Sequence, residues 1–70
     1  MLVLERNGEL YNKRSNSFMN VREREYNSFS SIEEIKKLGV SGTIMEYETL
    51  YLNEKKNMYS IIPMKSICRI

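Results

Sequence analysis

Seventy residues make one small domain, residues 1–70, and the absence of histidine and aspartate removes the usual acid, base and metal-binding groups. Such a chain buries only about 60% of the surface its unfolded form exposes, so its core is thin. Eleven Lys/Arg against nine Glu give a net charge of +2, with five cations and four acids before residue 30 and six and five after it, so there is no basic or acidic tail.

Cys68 is the single cysteine, which rules out a disulfide within the chain and any cysteine-built structural zinc site. No cofactor and no metal are expected. Oligomerisation is the remaining support for so small a core, so a homodimer or a partner-stabilised protein is expected. Cys68 itself reads as a small buried hydrophobe on a strand, and one unpaired thiol suits a reducing, cytoplasmic setting. The apolar start, Met1–Leu4, is too short for a secretory leader, and no stretch approaches the roughly 20 apolar residues of a membrane span.

In chain order, Asn7-Gly8 lies between Leu2-Val3-Leu4 and Leu10-Tyr11. A type I′ turn needs positive φ at both central residues, which Asn-Gly supplies, so Met1–Arg6 and Glu9–Lys13 are predicted as a β-hairpin. The polar tract Lys13–Asn20 reads as a loop ending in Phe18-Met19, which must dock on the core. Val21–Tyr26 alternates Val-Arg-Glu-Arg-Glu-Tyr; on a helix this run would be a solvated face of i,i+3 and i,i+4 charge pairs, and the flanking Val21 and Tyr26 favour a strand instead.

A short helix follows, about residues 31–38. Ser31 and Glu34 have the capping-box spacing. Glu33 and Glu34 sit at the positive end of the helix dipole and Lys36 and Lys37 at the negative end, and Gly39 is the expected C′ residue. Ile32, Ile35 and Leu38 fall on one face. Two turns do not stand alone in water, so this stripe is expected against the sheet.

Thr43–Asn53 is rich in Thr, Tyr and Ile and is predicted as a strand. Met45, Tyr47, Thr49 and Tyr51 would share one face, and neither face is uniformly apolar, which predicts a bulge near Glu46–Glu48. Asn53–Asn57 is a polar turn, Met58–Ile62 a further strand ended or held at an edge by Pro63, and Ile67–Ile70 a last short strand. The fold expected is α+β: a small antiparallel sheet or partly open β-barrel of two hairpins plus extra strands, with one helix packed on it. The closing stretch Tyr59–Ile70 resembles the last strands of small Sm-like or SH3-like barrels, which implies the barrel form and brings no ligand-binding position with it.

Chemistry is scarce in this chain. No Ser-His or Cys-His pair can form without histidine. Glu46 and Glu48 could pair as carboxylates, and Arg22, Arg24, Tyr26 and Glu25 could serve a histidine-free ribonuclease, but these are also ordinary solvated residue types. Gly8, Gly39 and Gly42 form no phosphate-binding loop.

A non-catalytic protein-binding module is therefore expected, a regulator or inhibitor whose Asn/Lys/Glu/Ile-rich composition suits a bacterium or its phage. Tyr, Met and Arg, five of each, are the types enriched in interface cores, and the candidate contact residues are Met45, Tyr47, Tyr51 and Tyr59. The alternative is a small β-domain that stacks RNA or single-stranded DNA bases on tyrosines and holds phosphates with Lys13, Arg14, Arg22, Arg24, Lys55 and Lys56.

Overall fold

The computed structural model describes residues 1–53 and 58–70, and the side-chain surroundings of residues 1–47 and 65–70. The predicted turn Asn53–Asn57, with Lys55 and Lys56, lies mostly outside the described residues. The elements are β1 (Leu2–Arg6), β2 (Glu9–Asn12), β3 (Ser17–Met19), α1 (Arg24–Asn27), α2 (Ile32–Lys36), β4 (Thr43–Asn53) and β5 (Met58–Arg69). The five strands form one antiparallel sheet in the order β3-β2-β1-β4-β5. The sheet is open, with β3 and β5 at its edges, so the barrel alternative does not hold.

The first hairpin forms as Asn7-Gly8 dictates. Arg6 faces Glu9 across the turn, and Asn7 and Gly8 take φ of 54° and 82°, the left-handed values a type I′ turn requires. The Glu5 carboxylate accepts the Gly8 N–H at 2.9 Å.

The tract expected as a loop contains a third strand. Asn12 turns the chain, its Oδ1 accepting the N–H groups of Arg14 and Ser15 at 2.9 and 3.2 Å. Phe18 then returns opposite Tyr11 and meets its ring edge-on at 5.4 Å. The sequence here is too polar to signal a strand, and the aromatic pair supplies the reason for one.

Val21–Tyr26, predicted as a strand, is not one. Residues 24–27 form a single helical turn, and Asn27 explains it. Its side chain is fully buried; Oδ1 accepts the Glu23 N–H at 2.5 Å and Nδ2 donates to the Tyr11 carbonyl at 2.8 Å. Around it the Lys13 N–H donates to the Tyr26 carbonyl at 2.8 Å, and the Phe29 N–H to the Leu2 carbonyl at 2.9 Å. The β1–β2 register ends at Glu5 opposite Leu10. Beyond that pair the strands diverge, and residues 26–29 fill the gap, satisfying backbone groups that the split would orphan.

Helix α2 begins where its cap places it. Ser31 Oγ accepts the Glu34 N–H at 3.2 Å. The reciprocal half of the box is displaced by one residue, since Glu34 Oε1 accepts both the N–H and the hydroxyl of Ser30 at 2.9 and 2.8 Å. The two Ser30 bonds hold the Glu34 carboxyl below its usual range against an opposing desolvation, with lesser support from the cations Lys13 and Lys37. The last turn tightens through Leu38 and Gly39, and Gly39 adopts the expected positive φ, 69°.

Both faces of the sheet carry apolar residues. Leu4, Tyr11, Phe29, Ile35 and Ile44 form one buried cluster, with Leu2, Phe18, Ile32, Leu38, Val40 and Ile70 partly buried against it. Val3, Leu10 and Tyr47 form a second, with Met1 and Met45. This two-sided burial is why β1 reads as an unbroken apolar run instead of alternating.

The expected irregularity near Glu46–Glu48 is present. Tyr47 faces Pro63 and Thr49 faces Ile62, leaving Glu48 without an opposite number. On β5 the register shifts leave Met64 and Ile67 as the extra residues. The two strands predicted on either side of Pro63 are one strand, and Pro63 is tolerated in it because β5 lies at the sheet edge. Among the described residues no helix is long and apolar enough to cross a membrane.

Candidate binding surface

Two of the residues singled out for protein contact pack together. Tyr47 is buried in the second cluster, with Met45 half-buried beside it. Burial pushes the Tyr47 phenol above its usual value; the positive charge of Arg22 partly offsets this and Glu5 adds to it. Tyr51 faces Ser60, and Tyr59 faces Leu52, across the β4–β5 ladder, and their side chains lie outside the described residues.

Among the cations named for phosphate contact, Lys13 and Arg14 lie beside acids. Lys13 Nζ sits 4.0 Å from Glu34 and 5.1 Å from the centre of the Phe29 ring. Arg14 is 3.4 Å from Glu23 and 5.2 Å from the Tyr26 ring. Arg22 donates to the Gly8 carbonyl at 3.1 Å, and Arg24 stands exposed at the start of α1. The four residues considered for a ribonuclease diverge: Arg22 reaches the β1–β2 turn, Tyr26 lies under Arg14, and Arg24 and Glu25 are exposed. Glu46 is taken up by the Met1 ammonium at 2.7 Å, which also donates to the Tyr47 carbonyl at 2.6 Å. Among the described residues no cluster of three Cys or Glu side chains could hold a metal ion.

The structure assembles a different surface at the end of β5. Lys65, Ser66, Ile67, Cys68 and Arg69 are five consecutive exposed residues on an edge strand. Ile67, one of the bulge residues, is 37% exposed and is the exposed large hydrophobe among the described residues. Cys68, expected to be buried, is exposed; an outermost strand has a neighbour on one side only. A β5–β5 pairing of two copies centred on Ile67 would set each Lys65 opposite the other copy's Arg69, and like charges directly opposite are destabilising. Bulges, Pro63 and these cations are the means by which natural edges resist self-association.

Arg69 also borders a cleft of about 390 Å³ lined by Glu5, Arg6, Asn7, Ser41, Gly42, Thr43 and Ile70. Glu5, Thr43 and Arg69 stand side by side across three strands. Arg6 is held in place by its guanidinium lying 4.1 Å over the Phe18 ring and by a 3.4 Å hydrogen bond from Nη1 to Ser41 Oγ. Gly42 and Ile70 exchange backbone hydrogen bonds at 3.0 and 2.9 Å. A Cβ on Gly42 would lie 2.9 Å from both the Glu5 carbonyl oxygen and Leu4 Cδ1, so only glycine lets the chain enter β4 this close to β1. None of Arg6, Ser41, Ile67 and Arg69 carries a local motif; the β1–β4–β5 pairing sets Arg69 beside Thr43 and Glu5, and the Arg6–Ser41 bond spans 35 positions. A second, more apolar hollow beside Lys36, Val40 and Ile70 has no comparable set of polar groups.

No protein-family model, curated protein or solved structure matches this chain.

Proposed function

We propose that this chain is a small non-catalytic protein-binding module, a regulator or inhibitor, that engages an acidic segment of another protein along the exposed end of β5. The observation that carries the reading is the run Lys65–Arg69, where an exposed Ile67 stands between two cations on an open edge. An apolar anchor flanked by arginine and lysine suits a partner that offers an apolar notch between carboxylates, with the cations steering the approach. A second copy of the chain suits it less, because Lys65 and Arg69 would oppose each other.

The nucleic-acid reading has less support. Stacking needs exposed rings beside unpaired cations, whereas Tyr11 and Tyr47 are buried, and Lys13 and Arg14 lie beside glutamates.

The test is a photo-crosslinking residue placed at Ile67, and at exposed Glu33 as a control, in cells that produce the protein. A discrete protein adduct specific to position 67 is expected, and it is lost in the Lys65→Glu variant. Equal adducts from both positions would overturn the reading. A purified protein with a high 260/280 nm absorbance ratio that falls at high salt would favour nucleic acid instead.

A further inference from the structure

The exposed end of β5 offers main chain as well as side chains. Gly42 and Ile70 exchange two backbone hydrogen bonds, 3.0 and 2.9 Å long, so the Ile70 N–H and carbonyl point at the segment entering β4. Along an antiparallel ladder these groups alternate between the two sides of a strand. Those of Cys68, opposite Ile44, therefore also turn toward β4, and those of Arg69, opposite Thr43, turn outward to the open edge. The bulge leaves Ile67 without an opposite residue on β4. Ile67 and Arg69 are thus alternate residues whose backbone groups β4 does not take up, which is the spacing at which a further antiparallel strand makes its paired bonds. The other edge strand, β3, is only three residues long, and its Phe18 and Met19 are half-buried.

The register also separates the two cations. Arg69 stands beside Thr43 and Lys65 beside Glu46. Thr43 and Glu46 are three positions apart on β4, which pairs without interruption with β1 over this stretch. Arg69 and Lys65 therefore flank opposite faces of the sheet. A segment lying on either face meets one of them, whereas a segment extended along the edge alternates its side chains between the faces and meets both.

We infer that β5 holds its partner by strand addition: an extended acidic segment pairs antiparallel with Ile67 and Arg69, with two carboxylate side chains three residues apart, one beside each cation. This rests on the preceding reading of the edge and names how the partner is bound. Main-chain pairing supplies affinity, and the side chains on the two faces supply the choice of partner. A second copy's Lys65–Arg69 strand brings cations and no acid to either face.

The probe is the peptide acetyl-Thr-Glu-Thr-Val-Glu-Thr-amide, whose glutamates have this spacing and whose valine falls opposite Ile67. It is titrated into the purified protein and followed by amide NMR. In the free protein the Ile67 and Arg69 amides should exchange with solvent faster than those of Cys68 and Ile70. The peptide should bind with a dissociation constant on the order of 1 mM and slow exchange at Ile67 and Arg69. N-methylation of the valine nitrogen, whose N–H faces β5, should weaken binding about tenfold. N-methylation of the preceding threonine, whose N–H faces away, should leave binding unchanged. The isomer acetyl-Glu-Thr-Val-Thr-Glu-Thr-amide puts both glutamates on one face and should bind more weakly. Equal affinity of the two N-methyl peptides, or an Arg69 amide as protected as Cys68 in the free protein, would overturn strand addition. So would a concentration-dependent dimer whose formation excludes the peptide.

The two readings fail separately. If the crosslinker at Ile67 gives its discrete adduct and the N-methyl peptides bind alike, the edge surface stands and strand addition fails. If only the N-methyl-valine peptide is weakened while position 67 crosslinks no more than Glu33, the edge accepts a strand and the protein-regulator reading fails.

Discussion

Asn27→Ala removes a fully buried side chain that bonds two separate stretches of backbone. The Tyr11 carbonyl loses the donor that fills the split between β1 and β2, and the Glu23 N–H loses its acceptor. Each buried group left without a partner costs about 1–3 kcal/mol. The Glu23 end is only partly buried and can recruit water, so the sum lies near 3 kcal/mol. A 70-residue domain holds roughly 4–10 kcal/mol in total, so the substitution consumes a third or more of its stability. With a urea m-value of about 1 kcal/mol/M for a chain this small, the unfolding midpoint should fall by about 3 M, read by circular dichroism because the chain has no tryptophan. The Lys13 and Glu23 amides should exchange with solvent faster than those of the β1–β4 ladder. Asn27→Asp keeps the acceptor for Glu23 and loses the donor to Tyr11, so it should recover part of the loss at most. A midpoint shift below about 0.5 M, with unchanged slope and unchanged exchange at Lys13, would refute the role given to this side chain.

Gly42→Ala drives a methyl against the Glu5 carbonyl and Leu4, and should destabilise by about 1–3 kcal/mol in the same assay, with amide shifts centred on residues 4, 5 and 42. Ser31→Ala removes the cap of α2 and should cost about 1 kcal/mol. Glu34 has a folded pKa below its ordinary value of 4.5, so its contribution is full above 4.5 and disappears as pH falls through the lower folded value; the stability gap between the parent and Glu34→Gln, measured across pH 2–6 (a window of roughly two units either side of the ordinary value), should close at the acid end. Tyr47 has a folded pKa above 10.0, so its contribution is full below pH 10.0 and declines as pH rises from there through the higher folded value; alkaline unfolding followed by tyrosinate absorbance should therefore be delayed in Tyr47→Phe. Cys68 is exposed on the edge strand and should react with a thiol reagent in the native protein as fast as in urea.

The parts of the fold legible in the sequence are those whose signals are local. Asn7-Gly8 names its own turn, and Ser31, Glu34 and Gly39 mark both ends of a helix within nine residues. The bulge near Glu46–Glu48 is visible because β4 alternates imperfectly. Residues 21–26 mislead for the opposite reason: their alternation is genuine, but Asn27 settles the backbone by reaching Tyr11, 16 positions away. Phe18 makes a strand of a polar tract only because Tyr11 is there to meet it. Much less of the candidate surface can be read in advance. The aromatic content directs attention to Tyr47, which the fold buries, while Arg6, Ile67 and Arg69 acquire meaning only once β1, β4 and β5 lie side by side.

The placement of β1 bears on how the chain folds. The strand earliest in the sequence ends at the centre of the sheet, and its second neighbour is β4, whose partners for it lie at Thr43–Glu46. On the ribosome β1 can close its hairpin with β2 at once, yet its other edge stays open until some forty further residues have emerged. At synthesis rates of about 5–20 residues per second that interval lasts seconds, far longer than a hairpin takes to form. Throughout it Leu2-Val3-Leu4 is a bare apolar strand edge, the kind that pairs with whatever strand arrives first. The hazard in this chain thus belongs to its synthesis, at β1, and of the two edges that remain open afterwards, the one along Lys65–Arg69 is furnished with charge and bulges.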